Sequence, residues 1–178
     1  SCYIISWRLN PNSFDLEVVK GVDTTIFFPH LFIPSQKRLE TTTSLGNLGA
    51  PLQSDHFFSR KKNFDFLFSR NYDEYIQNTA EQKHYYLHKP LTLISYTTGG
   101  GSTIREQSIR VLHSQNVNKY FNVGLTFDNF GTKGIYKNQT TKDNFFTLFG
   151  SYYRDRFSAQ GAFNYSRIKN EENGGLEA

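Results

Sequence analysis

The 178-residue sequence contains no methionine, one cysteine, one tryptophan and five prolines. Alanine is nearly as scarce, with five. The missing Met, initiator included, implies an N-terminus that is processed or truncated. The lone Cys2 excludes an intrachain disulfide framework and a Cys-based zinc site. Few Ala beside 17 Phe, 11 Tyr and many Thr and Asn disfavour a helical protein. No stretch approaches the roughly 18 consecutive apolar residues that a transmembrane helix requires. Strands escape that limit, because a transmembrane strand needs only about 9–11 residues with every second one polar. A hydrophobic content of 37% is therefore compatible with a membrane sheet. The formal charge of +4 is spread along the chain. Only Arg60-Lys61-Lys62 clusters, too small a footprint for nucleic acid, and it reads as a surface loop.

What is present divides into two regions, 1–85 and 86–178. Residues 1–85 are irregular, with loops and possible first strands. Tyr3-Ile4-Ile5 and Ile26-Phe27-Phe28 are short apolar runs broken by Pro11, Pro29, Pro34 and Pro51. Leu45 to Pro51 carries two Gly, an Asn and a Pro, which is loop chemistry. Residues 71–84 are polar and fit a short helix or a loop.

Residues 86–168 read as strands. Tyr120 to Phe130 sets Phe121, Val123, Leu125 and Phe127 against Asn122, Gly124, Thr126 and Asp128. Phe157 to Arg167 sets Phe157, Ala159, Gly161, Phe163 and Tyr165 against Ser158, Gln160, Ala162, Asn164 and Ser166. Ile104 to His113 sets Ile109 and Val111 against Glu106, Ser108 and Arg110. Period two of this length means half-buried strands. Asn144 to Arg154 begins apolar on both faces, so its register stays open. Pro90 to Thr98 alternates most weakly. The expected separators are Gly99-Gly100-Gly101, Gln115 to Lys119, the long polar stretch Gly131 to Asp143, and the tight Asp155-Arg156. Together they give an antiparallel up-and-down meander.

The period alone does not say which solvent each face meets. In a soluble barrel the Phe121, Val123, Leu125 and Phe127 face would point to the core; in an outer-membrane barrel it points to lipid. Two features favour the membrane. The strands run to about ten residues, beyond the usual five or six. Aromatics (Tyr96, Tyr120, Phe130, Tyr152, Tyr153, Tyr165) sit near strand ends, as in interfacial girdles.

No enzymatic grouping emerges. Gly99-Gly100-Gly101-Ser102-Thr103 lacks the Gly-Lys-Ser/Thr of a phosphate cradle and reads as a hairpin loop. His84 and His88 have i, i+4 spacing, but in a strand that puts them about 13 Å apart, too far for one ion. Ser, His and Asp are scattered, so no catalytic triad can be assembled. Glu171 and Glu172 beside Asn173-Gly174-Gly175 read as a turn with solvated charges. No cofactor, metal or catalytic residue is expected.

A family resemblance sharpens this. Leu45-Gly46-Asn47-Leu48-Gly49-Ala50-Pro51-Leu52 resembles a loop of the putative porin family of Bacteroidota. Lys89-Pro90-Leu91-Thr92 leading to Ser95-Tyr96 is similar to the same family. So are Glu106-Gln107 with His113 to Lys119, then Gly134 to Gln139, then Glu172-Asn173-Gly174-Gly175, in the same order, with Val22-Asp23-Thr24 early. The resemblance implies an outer-membrane β-barrel of a Gram-negative bacterium, here the N-terminal part of a longer chain. It implies a channel that lets small solutes pass passively, with outer-membrane lipid, solutes and other outer-membrane subunits as partners. Glu106, Arg110, Asn122, Asp128, Gln160 and Asn164 are then the expected pore-lining residues. Phe121, Val123, Leu125, Phe127, Phe157 and Phe163 are the expected lipid-facing ones. Two other readings stay open: a soluble or surface-exposed β-domain binding a small apolar or glycan ligand, and a structural subunit of an outer-membrane assembly.

Overall fold

The computed structural model describes residues 4–10, 13, 15–19, 42–44, 46–59, 71, 72, 75, 76, 79, 82–101, 104–135 and 139–171. Arg60-Lys61-Lys62, Val22-Asp23-Thr24, Ile26-Phe27-Phe28 and Glu172-Asn173-Gly174-Gly175 lie outside them. The described residues are all-β. Ten strands follow one another: β1 (Ile4–Leu9), β2 (Leu16–Val19), β3 (Thr42–Ser44), β4 (Leu52–Ser54), β5 (His84–Leu87), β6 (Leu91–Gly100), β7 (Arg105–Asn118), β8 (Phe121–Lys133), β9 (Thr140–Arg154) and β10 (Phe157–Glu171).

The last five make one antiparallel sheet in the order β10-β9-β8-β7-β6, each strand paired with its neighbour in sequence. Their lengths of 10, 14, 13, 15 and 15 residues reach the span that a bilayer core requires. The sheet is open, with β6 and β10 as its edges among the described residues. A smaller sheet, β2-β1-β5, and the β3-β4 hairpin come from the N-terminal region.

Two of the turns are shorter than the sequence suggests, and their lengths sort by the end of the sheet they occupy. β7 continues through Gln115 to Asn118, so the separator expected at Gln115 to Lys119 shrinks to Lys119-Tyr120. A register shift between Asn116 and Asn118 absorbs one extra residue, and Asn118 Oδ1 accepts from the Tyr120 and Phe121 backbone N–H groups at 2.8 and 2.9 Å. The far end of the same sheet is connected by residues 134–139 between β8 and β9, where Gly131 to Asp143 had read as loop. That stretch instead extends both strands. Gly99 and Gly100 belong to β6, and the connection is 101–104. Two two-residue turns, 119–120 and 155–156, thus lie at one end and connections of four and six residues at the other. Asp155 takes φ 47 in the second tight turn, a conformation Asp tolerates in two-residue hairpins.

Pairing fixes which residues share a face, because directly opposed residues of an antiparallel ladder point the same way. On one face Val111, Phe127, Phe146 and Tyr165 form a row across β7 to β10, followed by His113, Leu125, Leu148 and Phe163. Much of it is open: Leu148 is 45% and Phe163 63% exposed, and Ile94 on β6 is 69%. The opposite face is covered. Leu112, Phe130, Phe145 and Phe149 are buried there among Ser114, Asn122, Thr141, Asp143, Thr147 and Ser151. The cover is the N-terminal region. Leu52 and Tyr75 pack with Phe130 and Phe145, and Tyr85 and Leu87 pack with Leu112 and Phe149. Phe130 therefore belongs to a buried cluster on the covered face and not to an aromatic girdle.

Candidate functional site

The covered face is the candidate site. Alternation along β7 to β10 brings Glu106, Arg110, Asn122, Asp128, Gln160 and Asn164 onto it together. The other six candidates, Phe121, Val123, Leu125, Phe127, Phe157 and Phe163, all fall on the open face.

The polar residues are held in place rather than dangling. Arg110 and Asp128 stand directly opposite each other on β7 and β8 and form a two-point ion pair, with Nη2 to Oδ2 at 3.3 Å. Such a fork is geometrically specific and leaves no net charge. Asn122 Nδ2 donates to Asn116 Oδ1 at 2.7 Å, and Ser114 Oγ donates to Asn122 Oδ1 at 3.0 Å. Gln160 opposes Ser151.

Several of these groups reach the N-terminal region. Leu48 N–H donates to Glu106 Oε1 at 3.5 Å, and Leu87 N–H to Asn116 Oδ1 at 3.4 Å. Asn164 Nδ2 donates to Thr79 Oγ1 at 3.2 Å, and Asn170 Nδ2 to the Tyr72 hydroxyl at 3.4 Å. The N-terminal segment thus runs along the face from the long-connection end, where Gly49 meets Thr141 and Asp143, to the tight-turn end, where β5 lies against β7, β8 and β9.

The 46–50 loop is the most closely fitted part. Gly49 has φ 89, and a Cβ there would stand 2.6 Å from Thr141 Cγ2 and 2.7 Å from Asp143 Oδ2. The Tyr75 hydroxyl closes the loop from the other side, accepting from Gly49 N–H at 3.2 Å and donating to Ala50 C=O at 2.9 Å. Burial pushes the Tyr75 phenol well above its ordinary range, which keeps it a donor. At the other end, Phe149 lies over Gly124, where a Cβ would come within 2.4 Å of its Cζ. Beside it, at the tight-turn rim, an apolar hollow of about 310 Å³ opens between Trp7, Val18, Tyr85, Tyr120 and Tyr153.

His84 sits in β5 on this inner side, 3% exposed, edge-on to Phe149 at 5.9 Å and stacked on Trp7 at 6.3 Å. Burial lowers its pKa from 6.5 to about 4. The undocked segment therefore binds the proton more readily than the docked one between those values, so docking weakens as pH falls through that window. The full loss is about 3 kcal/mol. Protection factors of residues 84–87, taken relative to the intrinsic exchange rate at each pH, should fall between pH 6.5 and 4, and His84→Phe should flatten that dependence.

Sequence reasoning missed Asp143, Gly49 and Tyr75. By sequence Asp143 ends the long polar separator, yet it is fully buried on β9 and its Oδ1 accepts from Lys169 N–H at 3.3 Å. The signal existed: Thr141, Asp143, Phe145, Thr147, Phe149 and Ser151 continue one period-two face. Gly49 and Tyr75 lie in aperiodic segments, where only the Gly-Asn-Leu-Gly motif hinted at a special backbone. Among the described residues no group of His, Cys, Asp and Glu is arranged to hold a metal ion, and no helix is long and apolar enough to cross a membrane.

A sequence profile of the family described as Putative porin matches residues 3–178. The chain belongs to that family. Within this porin-family chain, the 46–52 motif is the loop docked on the covered face, Lys89-Pro90-Leu91-Thr92 opens β6, and His113 to Lys119 carries the β7 register shift. No curated protein and no solved structure matches the chain.

Proposed function

We propose that the chain builds part of the wall of an outer-membrane β-barrel in a Gram-negative bacterium, through which small solutes pass passively. The observation that carries this reading is the inversion of the sheet. Its open face carries the exposed Ile94, Leu148, Phe157 and Phe163, while its inward face sets Ser114, Asn122, Asp143 and Ser151 beside Leu112, Phe130, Phe145 and Phe149, unlike the apolar core of a soluble barrel. Phe121, Val123, Leu125, Phe127, Phe157 and Phe163 would meet acyl chains. Glu106, Arg110, Asn122, Asp128, Gln160 and Asn164 would face the lumen, where the N-terminal segment narrows the space along this wall.

Selection would be steric and electrostatic, with no covalent step and no turnover. Arg110 and Asp128 pair with each other, and Glu106 adds a negative charge to this stretch of wall. The edges of β6 and β10 cannot stay unpaired in lipid, where each bare backbone group costs several kcal/mol. Further strands must complete the ring.

The test is conductance of the full chain in planar bilayers. Discrete steps are expected, with a permeability ratio that moves toward anions in Glu106→Gln. A membrane-inserted chain that gives neither conductance nor solute efflux from liposomes would leave a scaffold, not a channel. A chain that stays monomeric in water without detergent would remove the barrel as well.

A further inference from the structure

The open face does not end in apolar residues at both rims. At the long-connection end, the rows beyond Phe127 and Phe146 turn basic. Arg105 on β7 stands directly opposite Lys133 on β8. Lys142 on β9 stands directly opposite Lys169 on β10, and Arg167 follows one row lower, opposite Asn144. All five are exposed and share the open face with Leu125, Leu148 and Phe163. Among the described residues one acid joins them: Glu171, whose Oε1 lies 2.6 Å from Lys169 Nζ. Glu106, Asp128 and Asp143 lie on the other face of the sheet and do not offset this charge. The five cations occur at 105, 133, 142, 167 and 169 and make no cluster in the sequence; the strand register assembles them.

Like charges directly opposite each other destabilise a ladder. Glu171 offsets part of the repulsion between Lys142 and Lys169, while Arg105 directly opposite Lys133 makes this edge costly unless an anion lies over it. The neighbouring surface limits what that anion can be attached to. Immediately below the cations lie Val111, Phe127, Phe146 and Tyr165, then Leu125, Leu148 and Phe163, a face suited to hydrocarbon. A group that touches both surfaces has a phosphate head and acyl tails. In outer-membrane barrels the end with longer connections is the outward one, so the basic edge meets the outer leaflet.

We infer that the edge formed by Arg105, Lys133, Lys142, Arg167 and Lys169 is a docking surface for a phosphorylated membrane lipid of the outer leaflet, its acyl chains lying on the Phe127-Phe146-Tyr165 row. The inference rests on the barrel reading for its orientation but not on conductance. The lipid neutralises the paired cations and fixes the depth of the barrel.

The experiment uses the full chain in a neutral detergent, wild type and with Lys133→Gln, Lys142→Gln and Lys169→Gln combined. The probes are purified lipid A, phosphatidylcholine, and inorganic phosphate. Lipid A should bind the wild type and raise its Tm, with affinity reduced on the order of a hundredfold in the triple variant. Phosphatidylcholine should do neither, and phosphate alone should not reproduce the stabilisation. Without added lipid the triple variant should melt no lower than the wild type, because like-charge repulsion has been removed. That result separates a binding role from a folding defect. Equal retention of lipid A by both proteins would overturn the inference, as would equal stabilisation by phosphatidylcholine. Saturation of the effect by free phosphate would overturn the lipid assignment. A chain that binds lipid A but does not conduct leaves this surface standing and removes only the channel.

Discussion

Replacing Gly49 by valine should release the N-terminal segment from the sheet while leaving β6 to β10 paired. Two costs combine at this position. With φ 89, any β-branched side chain is strained there. Its Cβ would also meet Thr141 Cγ2 and Asp143 Oδ2 at 2.6 and 2.7 Å, both on a strand that is paired on either side and cannot retreat. Left-handed backbone costs roughly 1–2 kcal/mol and overpacking about 1–3 kcal/mol more. The sum is enough to undo the two Tyr75 hydroxyl bonds that close the loop. Hydrogen exchange of the full chain should show protection lost at residues 46–52 and 75–76 and retained in β8 and β9. Gly161→Ala is the control, since a Cβ there meets nothing within 4 Å. Unchanged protection in Gly49→Val would mean that the loop tolerates displacement and is not a fitted contact.

Leu148→Arg is expected to cost about 2–4 kcal/mol for folding into a bilayer, against about 0–1 kcal/mol for Phe157→Arg. Leu148 lies mid-strand between Leu125 and Phe163, whereas Phe157 opens β10 at the tight-turn rim. The difference comes from depth, because a guanidinium near the rim reaches the headgroups and one at the midplane does not. The same pair discriminates against a soluble fold. Leu148 is 45% and Phe157 63% exposed, and in water such substitutions stay within about 0.5 kcal/mol of each other. Urea titration of folding into lipid vesicles reads both. Equal small costs would show that water covers this face.

The alternation of Tyr120 to Phe130 and of Phe157 to Arg167 was enough to place β8 and β10 and to sort their faces. β9 resisted for a physical reason. Its inner face carries Phe145 and Phe149 because they fill space under Tyr75, Tyr85 and His84, so both faces look apolar until the cover is known. The ends of β8 and β9 were hidden by the opposite effect. Thr132, Thr141 and Asp143 face inward in a sheet with a polar interior, and a run of polar inward residues looks like loop. Phe130 looked like a girdle aromatic because its position near a strand end was visible and its packing on Tyr75 was not. The docking of residues 46–52 and 82–87 could not be read at all. It depends on contacts between segments far apart in sequence, made by a region without a period. The basic edge needed the register itself, since cross-strand neighbours such as Lys142 and Lys169 are not neighbours in the chain.

The covered face also sets an order of events during biogenesis. The segment synthesised first rests on a surface completed late: Leu48 bonds to Glu106, 58 residues on, and Tyr72 to Asn170, 98 residues on. Until β7 to β10 have paired, Tyr75 lacks Phe130 and Phe145, and Tyr85 and Leu87 lack Leu112 and Phe149. Contacts of such long sequence separation form slowly. The first-made segment therefore completes its packing only after the last-made strands are in place.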